Sequence, residues 1–228
     1  DEVGRMLADQ AEEPADSRVL EHFSISDLDE ETIKQYRQRF SARSPDHAWL
    51  SLEIPSFLEK LGAWRKERST GREGITVAGL LMFGKAEAIR DPEAIPSYHV
   101  DYREKLSADP AVRWSDRLTI DGMWAGNIFL FYTRVMGKLA HDFKIPFQFG
   151  PDLFRRDDTA VHESIRESLV NALIHADYRG QGGIVIERYS DRIMMSNPGI
   201  LLISREQLLY GGVSECRNKT LQTMFQLI

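Results

Sequence analysis

The order of local patterns between residues 159 and 199 constrains the fold of this chain more than any other feature. Residues 159–176 have the composition and apolar spacing of a single helix, and a loop containing three glycines follows at 177–183. Apolar and polar residues then alternate through 184–189 and 192–196, separated by a two-residue turn, which predicts a β-hairpin. The last third of the chain is therefore expected to be a helix packed on an antiparallel sheet.

The rest of the sequence divides into two further regions and predicts an α/β (α+β) fold overall. Residues 1–25 are polar and acidic, with a proline in the middle, and are expected to be a tail or linker. Residues 26–150 are expected to be a mixed α/β region, and residues 151–228 a partial helix-plus-antiparallel-sheet sandwich that lacks its final strands. In the middle region we expect helices at 26–40, 57–64 and 120–143 and a strand at 97–102. The apolar segment at 75–83 forms a further element, and its periodicity does not decide whether it is a helix or a strand.

The composition is that of a globular chain, with 42% hydrophobic and 28% charged residues among 228. The net charge of -6 lacks the basic surplus that a nucleic-acid-binding domain usually carries. Any DNA contact must therefore come from a local patch or from other domains. The apolar runs at 80–83 and 128–132 are too short to span a bilayer, which predicts no membrane association.

The single cysteine and the N-terminal residues favour a cytoplasmic protein. Cys216 cannot form an internal disulfide, so nothing links the fold to an oxidising compartment. The first residues lack a basic segment followed by an apolar one, which predicts that no signal peptide is present. Because the chain also lacks an initiating methionine, we expect it to be a piece of a longer protein.

A polar stripe along the helix at 159–176 carries the candidate chemistry. Glu163, Glu167, Asn171 and His175 are four residues apart and therefore lie on one face. Asn171 interrupts an apolar run, and a buried amide is costly unless it meets a hydrogen-bond partner, solvent or a ligand. The same spacing also fits an exposed helix face without a function, so the pattern alone does not decide between the two.

The segment at 166–178, with the sequence RESLVNALIHADY, gives the stripe a more specific context. It resembles the signature of the divergent ATPase-like domain in bacterial proteins classed as RecG-like helicases or transcriptional regulators. In that family a Schlafen-type AlbA-like DNA-binding domain precedes this region, and a winged helix often follows it. The other segments that resemble the family are 61–62, 75–85, 191–193, 196–199, 211–212 and 217–218.

This resemblance extends to ATPases of the gyrase and histidine-kinase type and implies roles for two residues of the stripe. Glu167 matches the general base that orients the attacking water, since a carboxylate can accept a proton from it. Asn171 matches the amide that binds Mg²⁺, a hard cation that takes oxygen ligands and bridges phosphates. The implied cofactors are ATP and Mg²⁺, and whether ATP is hydrolysed stays open.

Further residues are implied to bind the nucleotide. Asn197 stands where those ATPases have an aspartate that reads adenine, and its amide oxygen can still accept from the adenine amino group. Gly199 matches the first glycine of the same motif, whereas Leu201 replaces the second. The remaining candidates in the matching segments are His175, Gly211, Gly212 and Arg217, the two glycines as part of a lid over the phosphates.

Two functions stay open at this point. The first is an ATP-binding regulatory module of a DNA-associated bacterial protein, in which DNA is bound by domains outside this chain. The second is a degenerate module that binds no nucleotide and serves as a scaffold, effector sensor or assembly domain. Association into a homo-oligomer stays open for both. A helicase motor is disfavoured, because Gly84-Lys85 lacks the surrounding residues of a phosphate-binding loop.

A basic cluster lies in a charged turn of the middle region. It consists of Arg65, Lys66, Arg68 and Arg72. Most such runs are solvated faces, and the alternative is a contact with the phosphates of a nucleic acid. The sequence leaves both interpretations open.

Overall fold

A computed structural model describes residues 14–107, 109, 111–142, 160–202 and 215–228 of the chain. Within these residues helices and strands are mixed, which confirms the predicted α/β (α+β) class. The helices are α1 (Glu30–Arg43), α2 (Ile54–Leu61), α3 (Val77–Phe83), α4 (Ala86–Ile89), α5 (Ile128–Asp142), α6 (Ala160–Ile174) and α7 (Lys219–Gln226). The strands are β1 (Trp64–Lys66), β2 (Glu73–Ile75), β3 (Val100–Lys105), β4 (Asp116–Thr119), β5 (Ile184–Tyr189) and β6 (Ile193–Ser196).

Helix α1 begins at Glu30, later than the sequence pattern predicts, because Asp29 caps it. The Asp29 side chain accepts a hydrogen bond of 2.9 Å from the backbone N–H of Thr32, which satisfies one free donor at the helix start. Glu30 and Glu31 in the first turn and Arg43 in the last turn complement the helix dipole. The local sequence thus determines both the position and the polarity of this helix.

The apolar segment at 75–83, whose type the sequence left open, is a strand end followed by a buried helix. Ile75 ends β2, and the Thr76 side chain then caps α3 by accepting from the N–H of Gly79 at 3.1 Å. Every residue of α3 is buried, so its sequence is apolar on all sides and carries no amphipathic periodicity. A Cβ at Gly79 would lie 2.2 Å from the Ala63 carbonyl oxygen, so the helix approaches that backbone as only glycine allows.

The larger sheet has the strand order β4-β3-β5-β6 and joins the middle region to the last third of the chain. Strand β5 pairs antiparallel with β6, as the hairpin pattern predicts, with Val185 opposite Ser196. On its other edge β5 pairs parallel with β3, with Val100 opposite Ile184. The hairpin is therefore one half of a mixed sheet.

The segment between β3 and α5 differs from its prediction. Residues 116–119 form β4, which pairs antiparallel with β3 although their sequence is largely polar. Helix α5 begins at Ile128 and not at 120, because Gly122 and Gly126 have φ values of 84° and 73°. A right-handed helix contains only negative φ values, so the helix cannot include either glycine and begins after the second one.

The described part of the segment predicted to be a tail lies against the core. Val19 and Leu20 are buried, and the N–H of Leu20 donates to the Ile75 carbonyl at 2.8 Å. The N–H of Val77 donates to the Arg18 carbonyl at 2.9 Å. This segment therefore runs along the end of β2 and the start of α3.

A continuous apolar core joins the helices of the middle region to α6 and the sheet. Tyr36 lies at its centre, with its ring centroid 5.1 Å from that of Phe83 and 5.6 Å from that of Phe129. Leu169 of α6 and Ile186 of β5 belong to the same cluster. No helix in the described ranges is long and apolar enough to cross a membrane.

Candidate functional site

Helix α6 buries one face and exposes the stripe that carries the candidate residues. Leu169 and Leu173 are fully buried in the core. Glu167 and Asn171 are exposed. The amide of Asn171 is therefore a surface group and not a structural hydrogen-bonding group of the core, which leaves its oxygen accessible to a ligand.

A cavity of about 550 Å³ lies between α6 and β6. This volume falls within the range of about 300–1,000 Å³ that is typical of small-molecule sites. The described lining is mostly apolar, and two serine hydroxyls from α6 supply its polar groups. The lining residues are Ala160, Val161, Ser164, Ile165, Ser168, Ile193 and Met195.

The wall of this cavity continues toward the candidate residues on both of its sides. Ser164 precedes Asn171 by seven residues, and about two helical turns bring these positions onto nearly the same face of α6. On the strand side, Ile193 and Met195 line the cavity. Asn197 follows the end of β6 directly and is exposed.

The turn at 197–199 is held against the C-terminal end of α6. The N–H of Asp177 donates to the Pro198 carbonyl at 2.8 Å, just beyond the end of the helix. Gly199 has a φ of 122°, and a Cβ there would lie 3.1 Å from the Asp177 Cβ. Both the conformation and the close approach favour glycine, so Gly199 has a structural role that does not depend on a ligand.

Arg217 positions the backbone that follows this turn. Its Nη2 donates to the Ile200 carbonyl at 3.0 Å, and the residue is only 8% exposed. The same Nη2 would lie 3.6 Å from a Cβ placed on Gly199. In the structure Arg217 is therefore a positioning residue for the turn, a role that the sequence pattern does not reveal.

His175 lies four residues beyond Asn171, at the end of α6, and is half-buried. Burial is the main cause that lowers the pKa of His175, and the positive charge of Arg217 lowers it further. A hydrogen bond with the Glu215 backbone has the opposite effect and raises the pKa. The lowered pKa favours the neutral imidazole near pH 7, and one of its two nitrogens is engaged by the Glu215 backbone.

Two residues that hold the site together were not found from the sequence stripe. The Nδ2 of Asn218 donates to the carbonyls of Ile174 and Ala176, both at 2.8 Å, and so satisfies free acceptors at the end of α6. In the sequence, Asn218 was marked only by its place in one of the segments that resemble the ATPase-like family. No sequence pattern pointed to Asp16, although its Oδ2 accepts a hydrogen bond from the N–H of Leu221 at the start of α7.

The structure brings His175, Gly199 and Arg217 together at the C-terminal end of α6, whereas Glu167 lies in the middle of the helix. Neither Glu167 nor Asn171 belongs to the described lining. Gly211 and Gly212 fall outside the described residues. In the part of the chain that the structure describes, no three His, Cys, Asp or Glu side chains are placed to hold a metal together.

These features define an α+β protein with a cleft between a helix and a sheet, and comparisons with known proteins extend that description. A family described as a domain of unknown function (DUF8451) matches residues 4–101. The match covers less than half of the chain and ends before α6. No curated protein is similar enough to count as a match.

The fold is similar to that of a solved structure, the DIP2311 protein from Corynebacterium diphtheriae. The TM-score is 0.64 at 14% sequence identity, and the alignment covers 100% of this chain and 35% of that one. The chain thus spans about a third of the length of that protein. At this level of identity the likeness concerns the fold alone.

Proposed function

We propose that this chain is an ATP-binding regulatory module of a RecG-like bacterial protein, with a nucleotide site of the gyrase and histidine-kinase type. The observation that carries the proposal is the cavity between α6 and β6, which lies beside the exposed stripe of Glu167 and Asn171. The segment at 166–178 that resembles the ATPase-like family forms most of that helix. The proposal includes a cytoplasmic location and DNA binding by domains outside this chain.

The chemistry of the cavity suits the two ends of a nucleotide differently. Its apolar lining and the hydroxyls of Ser164 and Ser168 suit a flat base that needs few hydrogen bonds. The exposed oxygen of Asn171 suits a Mg²⁺ ion carried by the phosphates, which retains water ligands. Glu167, one turn earlier on the same face, is the group that would accept a proton from water if hydrolysis occurs.

A second candidate function is a degenerate module that binds no nucleotide and acts as a scaffold or effector sensor. Two observations favour it. Among the residues that are described, the cavity lining includes no charged side chain that could pair with a phosphate. Asn197, at the position where the related ATPases have an aspartate, has no carboxylate to read adenine.

Calorimetric titration with ATP and Mg²⁺ separates these functions, and a cavity-filling substitution locates the binding. Ser168→Trp places a large side chain in the cavity wall and should weaken ATP–Mg²⁺ binding by at least about tenfold, equivalent to about 1.4 kcal/mol. Ser41→Trp is the matched control, because Ser41 is an exposed serine of α1 that is not part of this cavity.

Each outcome of the titration decides between the two candidates. Binding that Ser168→Trp abolishes and Ser41→Trp preserves supports the nucleotide site between α6 and β6. Binding that survives Ser168→Trp contradicts this location. A folded wild-type protein that takes up no ATP–Mg²⁺ contradicts the nucleotide-binding function and leaves the scaffold function.

A further inference from the structure

A second cleft, of about 580 Å³, lies beside the hairpin formed by β1 and β2. In this hairpin Trp64 pairs with Ile75 and Lys66 with Glu73. The cleft also borders the end of α2 and the start of α7. Its wall includes Trp64, Arg65, Lys66 and Arg68, with Glu59 as the one acidic residue of the described lining.

The loop of this hairpin is held in one conformation by its own hydrogen bonds. The N–H of Glu67 donates to the Arg72 carbonyl at 2.7 Å, and the N–H of Gly71 donates to the Glu67 carbonyl at 2.8 Å. The Thr70 hydroxyl donates to the Glu67 carboxylate at 2.8 Å. The basic side chains are thus presented from a fixed backbone, which lowers the entropic cost of binding a ligand.

The basic side chains of the hairpin are available for exchange with an external anion. Lys66 pairs with Glu73 at 3.6 Å, and Arg72 pairs with Glu21 at 2.7 Å, but all four side chains are at least half exposed. Such surface pairs contribute at most about 1 kcal/mol each, so a phosphate can replace the carboxylate at little cost. Arg68 is also exposed.

Trp64 adds a feature that a solvated charged face does not need. Its ring lines the cleft beside the cations and is only partly buried, and its Nε1 donates to the Glu73 carboxylate at 3.2 Å, which orients the indole. Trp64 and Lys66 are two residues apart on β1 and therefore lie on one face of the strand. An aromatic ring in a row with cations is the arrangement that binds unpaired bases together with their phosphates.

We propose that this cleft binds single-stranded nucleic acid, with phosphates paired to Lys66 and Arg68 and one base stacked on Trp64. This site is separate from the α6–β6 cavity and does not rest on the nucleotide-binding proposal. The net charge of -6 opposes long-range attraction of a polyanion, so the binding is weak. We expect a dissociation constant of about 10⁻⁴ to 10⁻⁶ M at physiological salt, as for other contacts that do not read sequence.

Fluorescence anisotropy with a labelled oligothymidine of about 15 nucleotides tests the phosphate contacts through their salt dependence. Each contact to single-stranded nucleic acid contributes about 0.7 to the slope of log affinity against log salt. With two contacts, affinity should fall about sevenfold between 50 and 200 mM salt. With the double variant Lys66→Gln/Arg68→Gln, the remaining affinity should be nearly independent of salt over the same range.

The control for this variant is Arg192→Gln. Arg192 lies in the turn of the other hairpin and pairs with Asp191 on an exposed surface, much as the exposed Lys66 pairs with Glu73. It should leave both affinity and salt slope unchanged. An unaltered salt slope in the double variant, or an equal loss in the control, overturns the proposal, as does a wild-type protein that fails to bind at 50 mM salt.

Tryptophan fluorescence tests the stacking contact independently of charge. A base stacked on Trp64 should quench part of the emission of the four tryptophans, and Trp64→Phe should remove that part of the quenching. A duplex of the same length should bind more weakly, because its bases are not free to stack. Quenching that persists in Trp64→Phe, or a duplex that binds as tightly as the single strand, contradicts the site as proposed.

Discussion

The Asp16 carboxylate and the backbone N–H of Leu221 form a hydrogen bond of 2.9 Å between segments that are 205 residues apart. Leu221 is the third residue of α7, so Asp16 caps this helix from a distant segment. Asp16 is fully buried, and burial raises its pKa to about 6, against the lowering effect of hydrogen bonds from Leu221 and Thr220. A buried acid therefore links the N-terminal segment to the start of α7.

The first prediction is that Asp16→Asn stabilises the protein near neutral pH. The pKa of Asp16 in the folded protein, about 6, lies above its ordinary value of 3.8. Ionisation is therefore more costly in the folded state, and stability falls as pH rises from about 3.8 to about 6. Asparagine retains a side-chain oxygen for Leu221 and does not ionise, so the free energy of unfolding should increase by at most about 3 kcal/mol above pH 7.

Urea unfolding at pH 5 and above pH 7 checks this sign. The advantage of Asp16→Asn should shrink to about half at pH 5, because the wild-type carboxyl is then mostly protonated in the folded protein. Asp191→Asn, at an exposed position, should show no comparable pH-dependent difference. An asparagine variant that is less stable than wild type at both pH values would mean that the ionised cap is favourable, contrary to this prediction.

The second prediction is that Asp101→Ala is strongly destabilising. Asp101 is fully buried and accepts hydrogen bonds from Arg117 Nε at 2.9 Å and from Arg103 Nε at 2.8 Å. Burial raises the pKa of Asp101, but the hydrogen bonds and charges of Arg117 and Arg103 outweigh it and hold the pKa below its usual value. Removing the carboxylate leaves two guanidinium groups without their shared partner, and the free energy of unfolding should fall by about 3 kcal/mol.

The pH dependence of Asp101 has the opposite sign to that of Asp16. The ionised carboxylate of Asp101 stabilises the folded protein fully above the ordinary pKa of an aspartate. This stabilisation is lost as the pH falls through the lowered pKa that Asp101 has in the folded protein. Asp191→Ala is the matched control, since Asp191 pairs with Arg192 on an exposed surface, and it should change stability by less than about 0.5 kcal/mol. Equal effects of the two substitutions on chemical unfolding would refute this account.

The third prediction concerns the turn at 197–199. Gly199→Ala should lower the free energy of unfolding by roughly 1–3 kcal/mol, because its φ of 122° is strained for alanine and the new Cβ would crowd Asp177. Gly182→Ala separates the two causes, since Gly182 has a φ of 102° but only one contact, with Pro198 at 3.8 Å. Thermal unfolding should therefore show a larger loss for Gly199→Ala, and a larger loss for Gly182→Ala would be inconsistent with the close approach to Asp177.

The fourth prediction rests on the proposed ATPase function and distinguishes the two polar residues of α6. Glu167→Ala should lower turnover by about 10²- to 10⁴-fold with little change in ATP affinity, because a general base acts mainly in the transition state. Asn171→Ala should weaken ATP–Mg²⁺ binding itself, because a magnesium ligand organises the phosphates before reaction.

Stability measurements complete this test, since both side chains are exposed. Each substitution should change the free energy of unfolding by less than about 0.5 kcal/mol. Glu163→Ala, at an exposed glutamate one turn earlier on α6, is the control and should leave binding and turnover unchanged. If neither Glu167→Ala nor Asn171→Ala alters an ATPase activity that the wild type possesses, their proposed roles are wrong.

The elements that the sequence predicted well are those whose stabilising interactions are local. Helix α6 and the hairpin of β5 and β6 lie within one or two residues of their predicted bounds, because apolar periodicity and a tight turn determine them. The candidate stripe was also visible, since its spacing follows from helix geometry alone. The nucleotide-binding roles of Glu167 and Asn171 came from a resemblance, and they stay predictions.

The sequence by itself thus determined the α6 helix, the β5–β6 hairpin and the mixed α+β class, because neighbouring residues specify backbone conformation through sterics, capping and hydrophobic periodicity. Only the tertiary structure decided the parallel pairing of β3 with β5, the capping of α7 by Asp16 and the positioning role of Arg217. Each of these contacts joins segments that are separated along the chain. Their partners are chosen by how the complete core packs, and local patterns carry no information about that choice.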